Sequence, residues 1–331
     1  MDLGELSTLL VWGATTAYAI AFVAFAVDLA RLADDRTDDG AFPASAQLGS
    51  ASSGGAAVID RPRLDAPSVP RRRNGRAVGI AMATATLGLG LHVAGTVLRG
   101  LAAERVPWAN MYEFALVGSL VAVATFLVLC RWRDVRFLGT IVLGLSVVAL
   151  GLALSVFYVG AEGVQPALQS YWLVIHVSIA TIATGLLTVS FAASTLQLLK
   201  DSRDAGSPRL AGRRWRPLDV LPTTRELEAL SFRITAVGFV LWTFTVMAGA
   251  IWAEHAWGRY WGWDPKEVWS FVVWVVYAAY LHARTTRGWS GRRAAWFVLV
   301  GYATVLFNFT GVNLFFDGLH AYSGLPTDEA G

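Results

Sequence analysis

Long apolar runs alternate with short polar stretches along this chain, at roughly 6–30, 77–98, 110–130, 137–158, 171–199, 232–253, 267–283 and 294–316. A helix needs about twenty apolar residues to cross a bilayer, and each run approaches or exceeds that. Within the runs, apolar residues follow one another instead of alternating with polar ones, which argues against a barrel. Only helices and closed barrels satisfy their own backbone in lipid. The pattern therefore predicts an all-α polytopic membrane bundle of about eight transmembrane helices, with no soluble domain of useful size left over.

Composition agrees: of 331 residues, 55% are hydrophobic and 15% charged, against about 25% charged in a soluble domain. The net charge of +3 does not point to nucleic acid, because the basic residues cluster in loops on one membrane face. Of the 27 lysines and arginines, all but Arg99, Arg105, Arg259 and Lys266 fall after the first, third, fifth and seventh apolar runs. By the positive-inside rule those loops are cytoplasmic, and both termini are extracytoplasmic. The first helix, 1–32, follows Asp2 and Glu5 and lacks the basic start of a cleaved signal peptide, so it reads as a retained span. Residues 33–76 are rich in Ala, Ser, Gly, Pro and Asp, too little apolar surface to order a segment; they read as a disordered cytoplasmic linker. Its basic end, Arg71 to Arg73, suits anionic headgroups of the membrane lipid.

The one cysteine, Cys130, closes an apolar run in Val-Leu-Cys-Arg. A single thiol makes no internal disulfide and no Cys-x-x-Cys pair, which excludes a thiol oxidoreductase acting on its own.

Candidate chemistry gathers on the outer side. From Trp252 to Ser270 the chain reads Trp-Ala-Glu-His-Ala-Trp-Gly-Arg-Tyr-Trp-Gly-Trp-Asp-Pro-Lys-Glu-Val-Trp-Ser, with five tryptophans. An interfacial aromatic belt accounts for one or two. Trp257, Trp261 and Trp263 crowd together with Gly258 and Gly262, and glycine lets a backbone turn tightly or approach a ligand. A flat aromatic shelf for a large planar ligand is the second reading. Asp264-Pro265-Lys266-Glu267 has the form of a capped helix start, whose free amides also suit a carboxylate such as a propionate. Pro107-Trp108-Ala109-Asn110-Met111-Tyr112-Glu113 opens the third helix on the same side, with Glu113 placed for the positive end of the helix dipole.

Of five histidines, His176 lies at the outer end of the fifth helix and His320 just beyond the eighth. A lone interfacial histidine is ordinarily a surface residue, but two flanking an aromatic shelf suit the axial positions of haem iron. His282 falls about 24 Å along the seventh helix at 1.5 Å per residue, towards the cytoplasm; an ionisable group there is a functional candidate or a boundary residue beside Arg284. His92 on the second helix is weaker, and His255 sits within the tryptophan segment.

The segment Trp257-Gly-Arg-Tyr-Trp261-Gly-Trp263-Asp264-Pro-Lys-Glu267-Val-Trp269-Ser, with Pro107 to Glu113 upstream, resembles the CcsA (ResC) proteins of system II cytochrome c biogenesis, a haem-handling family named for its Trp-Trp-Asp motif. The likeness covers roughly 77–325, leaving 326–331 as a tail, and the order of His176, His282 and His320 agrees with it. The resemblance implies that Trp257, Trp261, Trp263, Asp264 and Trp269 cradle haem b, that His176 and His320 are its axial pair, and that His282 serves an inner haem site whose opposite ligand comes from a ResB/CcsB-type partner. It implies that haem is conveyed outward across the plasma membrane and joined, as by a cytochrome c synthase, to Cys-x-x-Cys-His motifs of apocytochrome c. The long linker and His92 have no counterpart in that pattern. Delivery of haem to a chaperone, as in CcmC-like proteins, is the alternative. A small-solute transporter would want broken helices and midplane polar groups, and a cytochrome-b-like carrier would want paired membrane histidines; both leave the tryptophan segment unexplained.

Overall fold

A computed structural model describes residues 2–39, 75–161 and 169–320 of the chain, and no strand occurs among them. The helices are α1 (Leu3–Asp39), α2 (Arg76–Ala102), α3 (Met111–Trp132), α4 (Gly139–Ser155), α5 (Tyr171–Asp204), α6 (Thr224–Trp257), α7 (Pro265–Thr286), α8 (Arg292–Phe309) and the short α9 (Gly311–Phe315). Seven stretches, α1 to α6 and Arg292–Phe315, are long and apolar enough to cross a membrane. The eighth expected span is α7. Lys266 and Glu267 at one end and His282 and Arg284 at the other shorten its apolar stretch. Its 22 residues still extend about 33 Å at 1.5 Å per residue, close to the hydrocarbon thickness of a bilayer, and it packs against both α6 and α8. The chain is a multi-pass membrane protein.

The ends of these helices follow local chemistry. Asn110 caps α3 by accepting the Glu113 N–H, and Ser170 caps α5 by accepting from Trp172. Reciprocal capping boxes start α6 at Thr223 and Glu226 and α7 at Asp264 and Glu267, the latter with Pro265 at the first helical position where its missing N–H costs nothing. At the end of α6, Gly258 adopts φ 69°, the left-handed turn that glycine makes without a Cβ penalty.

Two boundaries differ from the sequence expectation. Helix α1 runs to Asp39, so residues 33–39 extend the first helix; the rest of the expected linker, 40–74, lies outside the described residues, as does the tail at 326–331. The tryptophan segment is also mostly helical. Trp252 to Trp257 form the last turns of α6 and Pro265 to Ser270 the first of α7, which leaves Gly258–Asp264 as the loop. The start of α7 is the capped start expected at Asp264–Pro265, whereas no breaker before Gly258 marks an earlier end to α6.

Packing divides into two groups. Helix α1 lies along α2 and α4, and α3 joins α4 to α5, around a core that includes Tyr18, Phe25, Phe126, Leu143 and Leu150. Helices α5 to α8 share a second core of Leu187, Trp242, Tyr277, Tyr302 and Val305. Close approach between the groups depends on Gly185 of α5, where a Cβ would sit 3.0 Å from the Ala122 backbone nitrogen and closer still to the Val121 side chain. Polar residues inside the bundle find partners. Ser194 and Ser231 hydrogen-bond at 2.7 Å between α5 and α6, beside Ser190 and Thr235, a lipid-phase contact worth about 0.6 kcal/mol on average. His92 is fully buried and hydrogen-bonds Tyr18 through Nδ1 at 3.2 Å, joining α2 to α1.

The loop before α3 is held by charge. Glu113, fully buried, accepts from Arg99 Nε at 2.8 Å, from Arg105 at 2.6 Å and from the Ala109 N–H at 2.9 Å. Arg99 is itself buried and also reaches the Gly160 carbonyl. These contacts absorb two of the four basic residues expected on the outer side. Removing the carboxylate breaks the buried pair with Arg99, a loss of about 3–5 kcal/mol. Glu113→Ala is therefore expected to lower stability by that amount in detergent-solubilised unfolding. A loss no greater than that of an exposed pair, about 1 kcal/mol or less, would contradict the network.

Candidate functional site

The starts of α3, α5 and α7, the ends of α6 and α8 and the residues after α9 meet at one end of the bundle and enclose a cavity of about 280 Å³. Alternation of direction along successive helices brings these ends together, which is why residues separated by more than 200 positions share one wall. His176 of α5 and His320 both line this cavity, as do Trp108, Trp252, Trp261 and Lys266.

Trp252 is the centre of the arrangement. It is 2% exposed, stacks on His176 with ring centroids 6.1 Å apart and planes 13° from parallel, and meets His320 edge-on at 5.4 Å. Trp257, one and a half turns further along α6, packs against Trp252 and His320, both at 4.8 Å. The two histidines thus share an indole between them.

Each imidazole is oriented through Nδ1. His176 Nδ1 lies 2.8 Å from the Thr245 carbonyl oxygen of α6; a carbonyl only accepts, so Nδ1 carries the proton and Nε2 holds the lone pair. The ring lies so close to α6 that a Cβ at Gly249 would stand 2.7 Å from it. His320 Nδ1 lies 2.8 Å from Asp264 Oδ1. A carboxylate behind the imidazole orients the ring and makes its other nitrogen more basic.

Asp264 does more than begin α7. Besides His320, it accepts the N–H of Lys266 at 2.9 Å and of Leu319 at 2.6 Å. Burial works to raise its carboxyl, but the hydrogen bond and charge of His320, with the two backbone N–H groups, outweigh that and hold it below the ordinary carboxylate range. A Cβ at Gly318 would collide with the same carboxylate. Glu267 Oε2 accepts from the Gly262 and Asp264 N–H groups at 2.7 and 3.1 Å, which folds the loop back on the helix. Its buried Oε1, and Oδ1 of Asn308, find no hydrogen-bond partner among the described residues.

The tryptophans singled out from sequence divide by role. Trp261 lines the cavity, with Trp263 edge-on at 5.9 Å. Trp263 is 77% exposed and holds φ 58°, a conformation a bulky residue rarely takes. Trp269 faces Phe307 of α8 at 4.3 Å, and neither it nor Trp257 and Trp263 lines the cavity. His282 is exposed on α7, roughly 24 Å of helix from Lys266, and is not part of this site. His255 is exposed on α6, and His92 lies outside the cavity. Sequence reading passed over Trp252, Thr245, Gly249, Asn308 and Asn313. For Trp252 the signal was present, since it stands five residues before Trp257; the others are ordinary membrane-helix residues until the fold places them.

A family of cytochrome c assembly proteins matches residues 108–320, the span from Trp108 at the mouth to His320. The chain belongs to this family. Among its relatives, the cytochrome c biogenesis protein CcsA of Synechococcus sp. (strain CC9605) is 35% identical over 251 residues, covering 70% of this chain and 83% of that protein. CcsA of Chlamydomonas reinhardtii is 35% identical over 224 residues, 65% of this chain and 60% of its own length. CcsA of Prochlorococcus marinus (strain MIT 9515) reaches 41% over 176 residues, 49% and 56%. Among solved structures, cytochrome c haem lyase CcmF shares the fold, with a TM-score of 0.62 at 17% identity over 93% of this chain; the chain spans 47% of CcmF. The chain is accordingly a cytochrome c biogenesis protein of the CcsA kind, and the cavity falls inside the matched region.

Asp264→Asn keeps the helix cap, for which Asn and Asp are equivalent, while removing the charge. Because the folded carboxyl sits below its unfolded value, its contribution is fully present above the unfolded pKa and is lost as pH falls through the folded one. Wild type is expected to exceed Asp264→Asn in thermal stability near neutral pH, with the gap closing as acid enters the carboxylate range. A pH-independent gap would contradict this.

Proposed function

We propose that the cavity binds haem b as cargo and substrate, and that the chain presents it on the extracytoplasmic face of the plasma membrane for covalent attachment to apocytochrome c. The observation that carries this reading is the pair His176 and His320 in one cavity wall, either side of Trp252, each with Nδ1 engaged and Nε2 free of that bond. Two imidazoles held through Nδ1 offer Nε2 as axial ligands for haem iron. The Asp264 carboxylate and the Thr245 carbonyl stand behind them as the outer partners that fix tautomer and ring orientation. Trp261 and Trp252 offer aromatic surface to a planar macrocycle.

The protein's share of the reaction is positioning. Thioether formation adds a thiol across a vinyl group: the sulfur bonds to one vinyl carbon, the hydrogen passes to the other, and no net electrons are exchanged. The thiols belong to the Cys-x-x-Cys-His motif of the apocytochrome. Cys130, near the far end of α3, lies about 28 Å of helix from Met111 in the cavity wall and takes no part.

His282 supports a second, inner site shared with a ResB/CcsB-type partner. Phe271, Val275, Ala279 and His282 recur at helical spacing along α7 and are exposed, while Val273, Tyr277 and Tyr280 are buried. An ionisable group on the outward stripe of a membrane helix calls for a protein neighbour, and a partner laid along this stripe covers His282.

The complex purified from haem-replete cells is expected to show a bis-histidine absorption spectrum. His176→Ala and His320→Ala are each expected to abolish it at the outer site and to stop cytochrome c maturation, while His255→Ala leaves both intact. Gly249→Ala, which pushes the His176 ring off α6, is expected to weaken haem retention about tenfold or more, the usual cost of disturbing an outer-shell contact. An unchanged outer-site spectrum in both histidine variants would refute the axial assignment. Ala279→Trp, on the exposed stripe, is expected to reduce co-purification of the partner by about tenfold, a loss of some 1.4 kcal/mol, and undiminished recovery would count against docking there.

A further inference from the structure

Lys266 is out of place among the charges of this cavity. The carboxylates near it are bonded elsewhere: Asp264 to His320 and the amides of Lys266 and Leu319, and Glu267 through Oε2 to the amides of Gly262 and Asp264, its Oε1 being left without a hydrogen bond among the described residues. No carboxylate lies within ion-pair distance of Lys266 Nζ among the described residues. Its ammonium instead donates to two neutral acceptors, the Asn308 backbone carbonyl at 2.6 Å and Asn313 Oδ1 at 3.0 Å. Those contacts draw the side chain across from α7 to the α8–α9 junction and hold it in the cavity wall, where Lys266, Asn308, Asn313 and His320 all take part in the lining. An ammonium has three N–H donors, and two are used.

A charge withdrawn from water is ordinarily matched by an opposite charge. This one faces a cavity, is anchored in a single direction by two asparagines, and makes no direct ion pair among the described residues, the Asp264 charge acting on it only from a distance. We propose that Lys266 is the receptor for a carboxylate of the bound ligand. The inference rests on the haem reading above and deepens it: the carboxylate is a haem propionate, and Lys266 is a positioning residue. In protoporphyrin the two propionates occupy one edge of the ring and the two vinyl groups the other. A propionate held at the wall formed by α7 and α8 turns the vinyl edge away from that wall. Lys266 therefore selects which edge of the macrocycle is offered to the incoming thiols, whereas His176 and His320 hold the iron without distinguishing the edges.

The test compares iron protoporphyrin IX with its dimethyl ester, whose propionates are uncharged, on the full chain in detergent, together with its partner where the two co-purify. The wild type is expected to bind the free acid about tenfold or more tightly than the ester, as charge-assisted hydrogen bonds imply. Lys266→Met is expected to bind both alike while keeping the bis-histidine spectrum, and Lys266→Arg to restore the preference. Equal affinity of the wild type for the two porphyrins would overturn the proposal without recourse to any variant, as would a full free-acid preference in Lys266→Met. Were neither porphyrin to give a bis-histidine spectrum with the wild type, the haem reading itself would fall, an outcome distinct from binding without preference.

Discussion

The hydrogen bonds that Asp264 receives from His320 and Leu319 join parts of the chain more than fifty residues apart. Asp264 begins α7, and the same carboxylate receives the Leu319 amide and the imidazole of His320. The residues after α9 have no helix of their own to hold them, and these two bonds lay them over the start of α7. That contact holds His320 in the cavity wall, across Trp252 from His176. The requirement that a buried carboxylate be satisfied by several donors here doubles as the device that completes the site.

The same economy runs through the rest of this end of the bundle. Glu113 binds Arg99 and Arg105, and so fixes the Trp108–Met111 stretch that forms another part of the wall. Glu267 ties the loop carrying Trp261 to the helix behind it. Glu113, Asp264 and Glu267 each serve as a local helix cap or loop anchor and, through that, set the position of an aromatic or imidazole ring. Lys266 differs, its ammonium donating to two neutral acceptors.

The membrane half of the molecule supplies rigidity. Small residues let α5 approach α3 and α6 closely, at Gly185 and Gly249, and hydroxyl pairs between α5 and α6 add directional contacts. Since α5 carries His176 and α6 carries Trp252, the spacing of these two helices sets the stacking of imidazole on indole. A ligand that needs two rings at fixed separation is best served by elements whose side chains are locked in this way.

The sequence by itself determined the helical class, the order of the spans, the sidedness expected from arginine placement, the opening of α3 near Pro107 to Glu113 and the cap at Asp264, because each of these depends on residues near one another along the chain or on simple partition between water and lipid. Through its motif it also pointed to the family and to His176 and His320. The tertiary structure alone decided that Trp252 stands between the two histidines, that Thr245 and Asp264 orient their rings, that Trp263 and Trp269 lie outside the cavity, and that the Lys266 ammonium bonds two neutral acceptors. These are relations between different helices, and apolar helices of similar composition leave in the sequence little trace of which faces will meet.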